Sequence, residues 1–408
     1  MNCRHCQSPI NLTLVDLGSA PPSNAYLTET TLHGVEKWFP LKVVVCETCW
    51  LVQAEAYSAA HELFDGDYAY FSSFSAQWLR HAEAYVEKMS AMMSLTPESM
   101  VVEVASNDGY LLQYVKGKGI GCLGVEPTAS TAAASRKLGI ETIEMFFGVE
   151  LAEKLVAQGC AADLTAANNV LAHVPDINDF TAGFATLLKP DGVATFEFPH
   201  LLNLIRESQF DTIYHEHFSY LSLHTVRTVF AANGLSVFDA EKLPTHGGSL
   251  RVFAQRADTG ERAATERLEE LLGEEVSAGV LSSGFYTGFQ AKADRVKDDF
   301  LAFLIEAKRA GKTVAAYGAA AKGNTLMNYA GVRPDLISFV VDLNPAKQGK
   351  FMPGSRIPIV DEDHILERKP DYIVILPWNL SDEVIGQLDH VRGWGCEFVT
   401  AVPKLQSF

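Results

Sequence analysis

Met100-Val101-Val102-Glu103-Val104-Ala105-Ser106-Asn107-Asp108-Gly109 decides how the chain is read. The first five residues are apolar and β-branched around one glutamate, the pattern of a buried strand. Ala105 to Gly109 then form a small, polar, tight turn, and Tyr110-Leu111-Leu112 opens a helix. Small residues at such a turn let a ligand approach the backbone. About two dozen residues after Glu103 a second apolar run, 121–127, ends at Glu126-Pro127. A carboxylate there is placed to accept hydrogen bonds from both hydroxyls of a ribose. The plainer alternative is an ordinary strand–helix turn and a solvated Glu126.

Working outward, a helix over 130–138 and strands over 162–168 and 192–198 continue the alternation. Strands alternating with helices predict a parallel sheet covered on both faces. A second alternating block starts at residue 313. It has a strand ending in Gly318, a turn through Ala319-Ala320-Ala321-Lys322 into a helix, and strands over 336–342, 372–376 and 397–399. Between the blocks, 265–306 is charged and helical. Ahead of the first block, Trp78, Leu79, Ala82, Tyr85, Val86 and Met89 recur at helical spacing. The expected fold class is α/β: a small metal module (1–65), a first Rossmann-like unit (66–260), and a helical connection with a second Rossmann-like unit (261–408).

The metal module rests on Cys3-x-x-Cys6 and Cys46-x-x-Cys49. Two such pairs fit a tetrahedral zinc ion. Four protein thiolates leave no open position, so the metal is expected to be structural. A site of this kind contributes about 10–16 kcal/mol of apparent binding energy to folding. Leu41, Val43, Val44 and Val45 read as a strand entering the knuckle, and Trp50, Leu51 and Val52 as one leaving it. His5 is a bystander. Cys122, Cys160 and Cys396 are isolated in apolar surroundings and read as inert buried thiols. Paired thiols suit a reducing compartment. The formal charge of −17 argues against nucleic acid as a partner. No uncharged run approaches the roughly 20 residues of a membrane span, and the N-terminus lacks a signal-peptide core. A cytoplasmic protein is expected, and a three-part monomer suffices.

The reactive side chains cluster in Tyr214-His215-Glu216-His217, where the chain crosses the carboxyl edge of the first sheet. The spacing is too short for a helical H-E-x-x-H zinc site. Acid–base work is the chemical reading, a polar surface loop the bland one. G-x-G-x-x-G is absent, which disfavours a nicotinamide dinucleotide.

The strand–turn–helix at Glu103 looks like the S-adenosylmethionine fold of class I methyltransferases, with Ala105 in place of the first glycine. The cysteine pairs, the 103–109 turn, Tyr214–Phe218, His246-Gly247-Gly248-Ser249-Leu250-Arg251 and Tyr317-Gly318-Ala-Ala-Ala-Lys322 follow one another in order. Across nearly its whole length the chain resembles the nucleotide-sugar C-methyltransferases of deoxysugar biosynthesis. That resemblance implies structural zinc, bound S-adenosylmethionine and methylation of a dTDP-4-keto-deoxysugar at C3. It implies His217 as base, with Glu216 orienting an imidazole or holding the sugar. Tyr214 would bind the sugar or the enolate oxygen, His173 would lie on the substrate side, and Tyr70 would close over the sugar. Whether His215 shares the base role stays open. For the cofactor, Glu103 heads a turn in which Ala105, Asn107, Asp108 and Gly109 meet the methionine end. Glu126 takes the ribose, Asn169 lies near the sulfonium, and Phe146 or Phe147 flanks the adenine. His246, Gly247, Gly248, Tyr317, Gly318 and Lys322 are expected on the nucleotide-sugar, Lys322 with a helix N-terminus receiving phosphate. The competing readings are an O- or N-methyltransferase, a non-catalytic zinc adaptor and a nicotinamide oxidoreductase.

Overall fold

Three sheets carry the chain in the computed structural model, which describes residues 1–55, 57 and 71–408. The central sheet has seven strands in the order Leu235–Leu243, Ser249–Arg256, Leu188–Pro199, Ala162–Asn168, Met100–Val104, Gly121–Val125 and Thr142–Ile143. The last five are mutually parallel, and Ser249–Arg256 runs antiparallel to both its neighbours. Met100–Val104 lies mid-sheet, buried on both faces, which explains its unbroken apolar run. The antiparallel edge is a departure from the sequence reading. Neither strand was anticipated, because the turn His246-Gly247-Gly248 between them breaks the two-residue alternation.

The helix Ala76–Met93 covers this sheet with Trp78, Ala82, Tyr85, Val86 and Met89 buried. Ser75 caps it, its hydroxyl accepting from the Trp78 N–H at 3.2 Å. The charged connection consists of three helices. Gly279 and Gly288, both in the left-handed region (φ 89° and 88°), separate Glu266–Ala278, Ser283–Tyr286 and Phe289–Arg309.

The N-terminal sheet has the order Leu12–Ala20, Phe39–Val45, Val52–Ala54 and Ser219–Tyr220, all antiparallel. Its fourth strand comes from the segment just after His217. The third sheet orders Ile359–Val360, Val340–Val341, Val314–Tyr317, Tyr372–Ile375 and Glu397–Thr400 in parallel, with Gln406–Ser407 antiparallel at the edge. The strand expected over 336–342 is shorter, because Leu336 and Ile337 both donate back to the Arg333 carbonyl (2.9 and 3.2 Å) and form a turn. No helix among the described residues is long and apolar enough to cross a membrane.

Glu275 ties the connecting helices to the central unit. Its fully buried carboxylate accepts from His200 Nε2 (2.7 Å), His224 Nδ1 (2.8 Å), the Leu223 N–H (2.7 Å) and the His224 N–H (2.9 Å). Burial alone would raise its pKa from the ordinary 4.5, but the two imidazoles overcome this and hold it at about 2. A depressed carboxylate stabilises the fold above its unfolded pKa, and that contribution disappears as pH falls through the folded one. Glu275→Gln should therefore lose about 2–4 kcal/mol at pH 7. In urea titrations the gap to wild type should narrow between pH 4.5 and 2; a gap independent of pH would contradict the charge argument.

Candidate active site

The four cysteines converge. Cys3 and Cys49 Sγ lie 3.6 Å apart, Cys6 and Cys46 Sγ 3.5 Å, and all four sulfurs fall within 4.8 Å of one another. Zn–S bonds of about 2.3 Å in a tetrahedron need sulfurs about 3.8 Å apart. Gln7 and Trp50, each one residue past a pair, take left-handed backbones (φ 61° and 60°) and donate their N–H groups back to Cys3 and Cys46 carbonyls. The two knuckle turns are thus equivalent. Gln53 Nε2 donates to Cys3 Sγ at 3.3 Å, the contact a thiolate ligand favours. The donor set fits zinc.

At the cofactor turn three residues take positive φ: Ala105 (59°), Asn107 (48°) and Gly109 (82°). A Cβ on Gly109 would lie 2.7 Å from Ile140 and 2.9 Å from the Ser135 hydroxyl, so glycine is required by packing. Glu126 is buried and spends its oxygens on the backbone, accepting from the N–H groups of Asn107 (3.0 Å) and Thr128 (2.9 Å). Burial raises its pKa and those N–H groups lower it. Asn107 and Asp108 differ from the sequence reading: Asn107 Oδ1 accepts from the Ser72 N–H (2.9 Å) and Asp108 Oδ2 from the Ser73 N–H (3.1 Å). These side chains tie the segment 71–74 over the turn. Glu103 is fully buried, and neither of its oxygens finds a donor among the described residues. Burial pushes its carboxyl well above the carboxylate range. Asp108 Oδ1, Asn168 Oδ1 and Asn169 Oδ1 are also buried without partners among the described residues. Unpartnered acceptors around a strained turn fit S-adenosylmethionine, which carries an ammonium, a sulfonium and ribose hydroxyls.

His217 and His173 meet edge to face, ring centres 4.6 Å apart, and Tyr214 lies 4.0 Å from His217. His217 Nδ1 is 2.8 Å from the Thr212 carbonyl, and His173 Nδ1 is 2.8 Å from the Glu216 carbonyl. A carbonyl only accepts, so both Nδ1 atoms carry the proton and each Nε2 keeps its lone pair. Burial, then the field of His173, holds the His217 pKa well below its ordinary value; burial brings His173 to about 4. Both rings are neutral at physiological pH. Glu216 serves His173 through its backbone oxygen. Its carboxylate accepts from Asn24 Nδ2 of the N-terminal module at 3.1 Å, with Oε2 unpartnered among the described residues and the pKa raised by burial. His215 turns to the zinc module, its Nε2 3.3 Å from the Phe39 and Pro40 carbonyls.

His246 is half-buried, its pKa brought to about 4 by desolvation and by the Lys322 charge. Asn169 Nδ2 donates to its Nε2 at 3.1 Å, joining two residues read separately from sequence. The glycines expected to face a ligand face protein. A Cβ on Gly247 would lie 2.4 Å from the Trp378 ring, on Gly248 2.1 Å from Asn203 Nδ2, and on Gly318 2.5 Å from Pro377. Tyr317 lies in the apolar core of the third sheet with Ile373 and Ile375. Phe147 packs on Phe184 and Phe180 (4.8 and 5.7 Å) and Phe146 is exposed, so neither is arranged to sandwich an adenine. Lys322 lies over the Trp378 ring that packs on Gly247, and its charge lowers the pKa of both His217 and His246. Tyr70 lies outside the described residues.

Sequence reasoning missed two groups. Glu197, fully buried, pairs with Arg251 (2.7 Å) and His81 (2.8 Å) and accepts from the Thr245 hydroxyl (2.8 Å); Trp78 stacks on His81 and tilts against His246. Asp211, also fully buried, accepts from the Trp378 indole N–H at 2.7 Å. The Asp211 signal lay beside the Tyr214–His217 motif; Trp378 lies far along the chain and offered none.

A class I strand order, a strained turn lined with unpartnered acceptors, and paired neutral imidazoles define an S-adenosylmethionine-dependent methyltransferase. Family models match a zinc-binding domain over residues 3–64, a methyltransferase domain over 77–240 and a C-methyltransferase C-terminal domain over 244–403. C-methyltransferase NovU from Streptomyces niveus is 35% identical over 402 residues, 98% of this chain and 95% of that one. The chain belongs to the C-methyltransferase family, with S-adenosylmethionine and zinc as its cofactors. Among solved structures, magnesium protoporphyrin IX methyltransferase from Synechocystis matches at 15% identity (44% of this chain, 79% of that one, TM-score 0.34). An S-adenosylmethionine-dependent methyltransferase from Mesorhizobium loti matches at 13% (44% and 100%, TM-score 0.34). Cys46→Ser should yield protein without bound zinc and with an unfolded N-terminal sheet, measured by metal content and limited proteolysis. A stable, active, zinc-free product would contradict the structural role.

Proposed function

We propose that the enzyme methylates a carbon adjoining the ketone of a nucleotide-linked sugar, a dTDP-4-keto-deoxysugar, at C3. C-methylation sets the chemical requirement. A sugar carbon is not a nucleophile until a neighbouring ketone lets it lose a proton. S-adenosylmethionine, when bound, supplies the methyl group as an electrophile. The chain must provide a base, a counter-charge and alignment.

One observation carries the reading: His217 presents an unprotonated Nε2 in a buried site, its Nδ1 proton held by the Thr212 carbonyl. Among the described residues that Nε2 has no hydrogen-bond partner. A positioned base of this kind contributes about 10²–10⁴ in rate. His173 and Tyr214, in contact with the ring, are the proposed substrate-side groups, with Glu216 and His246 framing the same space. Glu103, Glu126 and the Ala105–Gly109 backbone are the proposed cofactor holders, with Asn169 between turn and His246. Alignment of the two reacting carbons is worth up to about 7–11 kcal/mol, so a rigid site matters more than a strong base.

A 4-ketone acidifies both C3–H and C5–H, so position is a matter of which carbon His217 reaches. With S-adenosylhomocysteine bound in D₂O, the enzyme should wash deuterium into C3 of dTDP-4-keto-6-deoxyglucose, followed by NMR. Exchange at C5 alone would move the site; no exchange would sink the enolate mechanism. His217→Asn should lower turnover at least 10²-fold while S-adenosylhomocysteine affinity stays within about threefold; normal turnover would refute the base. Because burial keeps the imidazole neutral, kcat/KM should be level through neutral pH and fall only below the ordinary histidine value of 6.5. An acid limb above that value would contradict the reading.

A further inference from the structure

We infer that Lys322 is a catalytic residue, whose ammonium receives the charge that builds on the ketone oxygen as the adjoining carbon loses its proton. The inference rests on the keto-sugar reading above and replaces the phosphate role expected for this lysine.

Lys322 lies in the first turn of the helix Ala321–Tyr329, its ammonium over the Trp378 ring that meets Gly247 and Asp211 of the central unit. Its ammonium has three donors and, among the described residues, one hydrogen bond, to Asn379 Oδ1 at 2.6 Å. No carboxylate lies within ion-pair distance among the described residues. The head group sits 4.8 Å over the Trp378 ring, held by a cation–π contact that fixes its place without neutralising it. Asp211, one residue group behind the indole, supports the charge from a distance and is pushed up by burial to about 6. A half-buried cation with unspent donors is costly unless an anion arrives.

The anion is not a diphosphate cradled by the turn. The Ala319 N–H already donates to the Asp342 carboxylate at 2.8 Å, the Tyr26 hydroxyl donates to the Ala319 carbonyl at 2.6 Å, and Pro377 fills the space over Gly318. A carboxylate there repels phosphate. Lys322 lies instead over the Trp378 ring, which packs on Gly247 beside His246 and donates to Asp211 of the 210–217 loop, and its charge lowers the proton affinity of His217 and His246. A cation beside a base weakens that base slightly, yet it stabilises the enolate the base creates. In the step, the C–H proton passes to His217 Nε2 and the C–H electron pair becomes the enolate C=C bond. The carbonyl π pair moves to oxygen against the Lys322 N–H. The carbonyl then re-forms, the carbon bonds to the methyl group, and the C–S pair leaves with S-adenosylhomocysteine. His217 returns its proton to water.

The test compares wild type, Lys322→Met and Lys322→Ala, all first shown to bind S-adenosylhomocysteine normally. The probe is dTDP-4-keto-6-deoxyglucose in D₂O, with dTDP affinity measured separately by calorimetry. Lys322→Met should slow exchange about 10²–10³-fold with dTDP affinity changed by less than about threefold. Methylammonium in the buffer should partly restore Lys322→Ala. Exchange at the wild-type rate, or a loss matched by an equal loss of dTDP affinity, overturns the inference. Absence of exchange by wild type overturns the keto-sugar reading, and this inference with it.

Discussion

The loop 210–220 is held from three sides at once, and the chemistry depends on that restraint. From the N-terminal module, Asn24 reaches Glu216, the Ala54 N–H donates to the Phe218 carbonyl, and Val52–Ala54 pairs with Ser219–Tyr220. From the central unit, the Phe218 N–H donates to the Ala172 carbonyl and His173 to the Glu216 carbonyl. From the C-terminal unit, the Thr325 hydroxyl donates to the Ile213 carbonyl and Trp378 to Asp211. Only a loop fixed this way keeps the Thr212 carbonyl on His217 Nδ1, and only that contact leaves Nε2 free to take a proton. The fusion of three modules in one chain thus has a physical reason. Zinc holds the first module together so that it can grip the loop, and the second Rossmann-like unit supplies the other grip along with a cation.

The first turn of the second unit is filled differently from that of the central one. Asp342 fills the position that Glu126 fills in the central sheet, each carboxylate accepting an N–H from the turn beside it. In the central unit, unpartnered acceptors remain around the turn. In the C-terminal unit, Tyr26, Lys347 and Pro377 occupy the space. Two related architectures have been put to different uses by what packs on their turns.

Much of this was legible in the amino-acid sequence, wherever the signal is local. The Met100–Gly109 strand and turn, the paired cysteines and the helix carrying Trp78 and Tyr85 follow from periodicity and spacing alone. What escaped the sequence depends on contacts between distant residues. Gly247 and Gly318 read as openings for a ligand, but their missing side chains make room for Trp378 and Pro377. Asn107 and Asp108 read as cofactor contacts, yet they hold Ser72 and Ser73. The edge strands Leu235–Leu243 and Ser249–Arg256 went unseen because they pair with one another and with Leu188–Pro199 across a glycine turn. Residue type announced that chemistry was present, whereas only the fold showed which atom each residue has to spare.

The most direct test of the account is the protonation state of one ring. Nitrogen-15 NMR of histidine-labelled enzyme with S-adenosylhomocysteine bound, assigned by comparison with His217→Asn, should show His217 as the neutral Nδ1–H tautomer throughout the neutral pH range. A proton on Nε2, or an imidazolium at neutral pH, would contradict it.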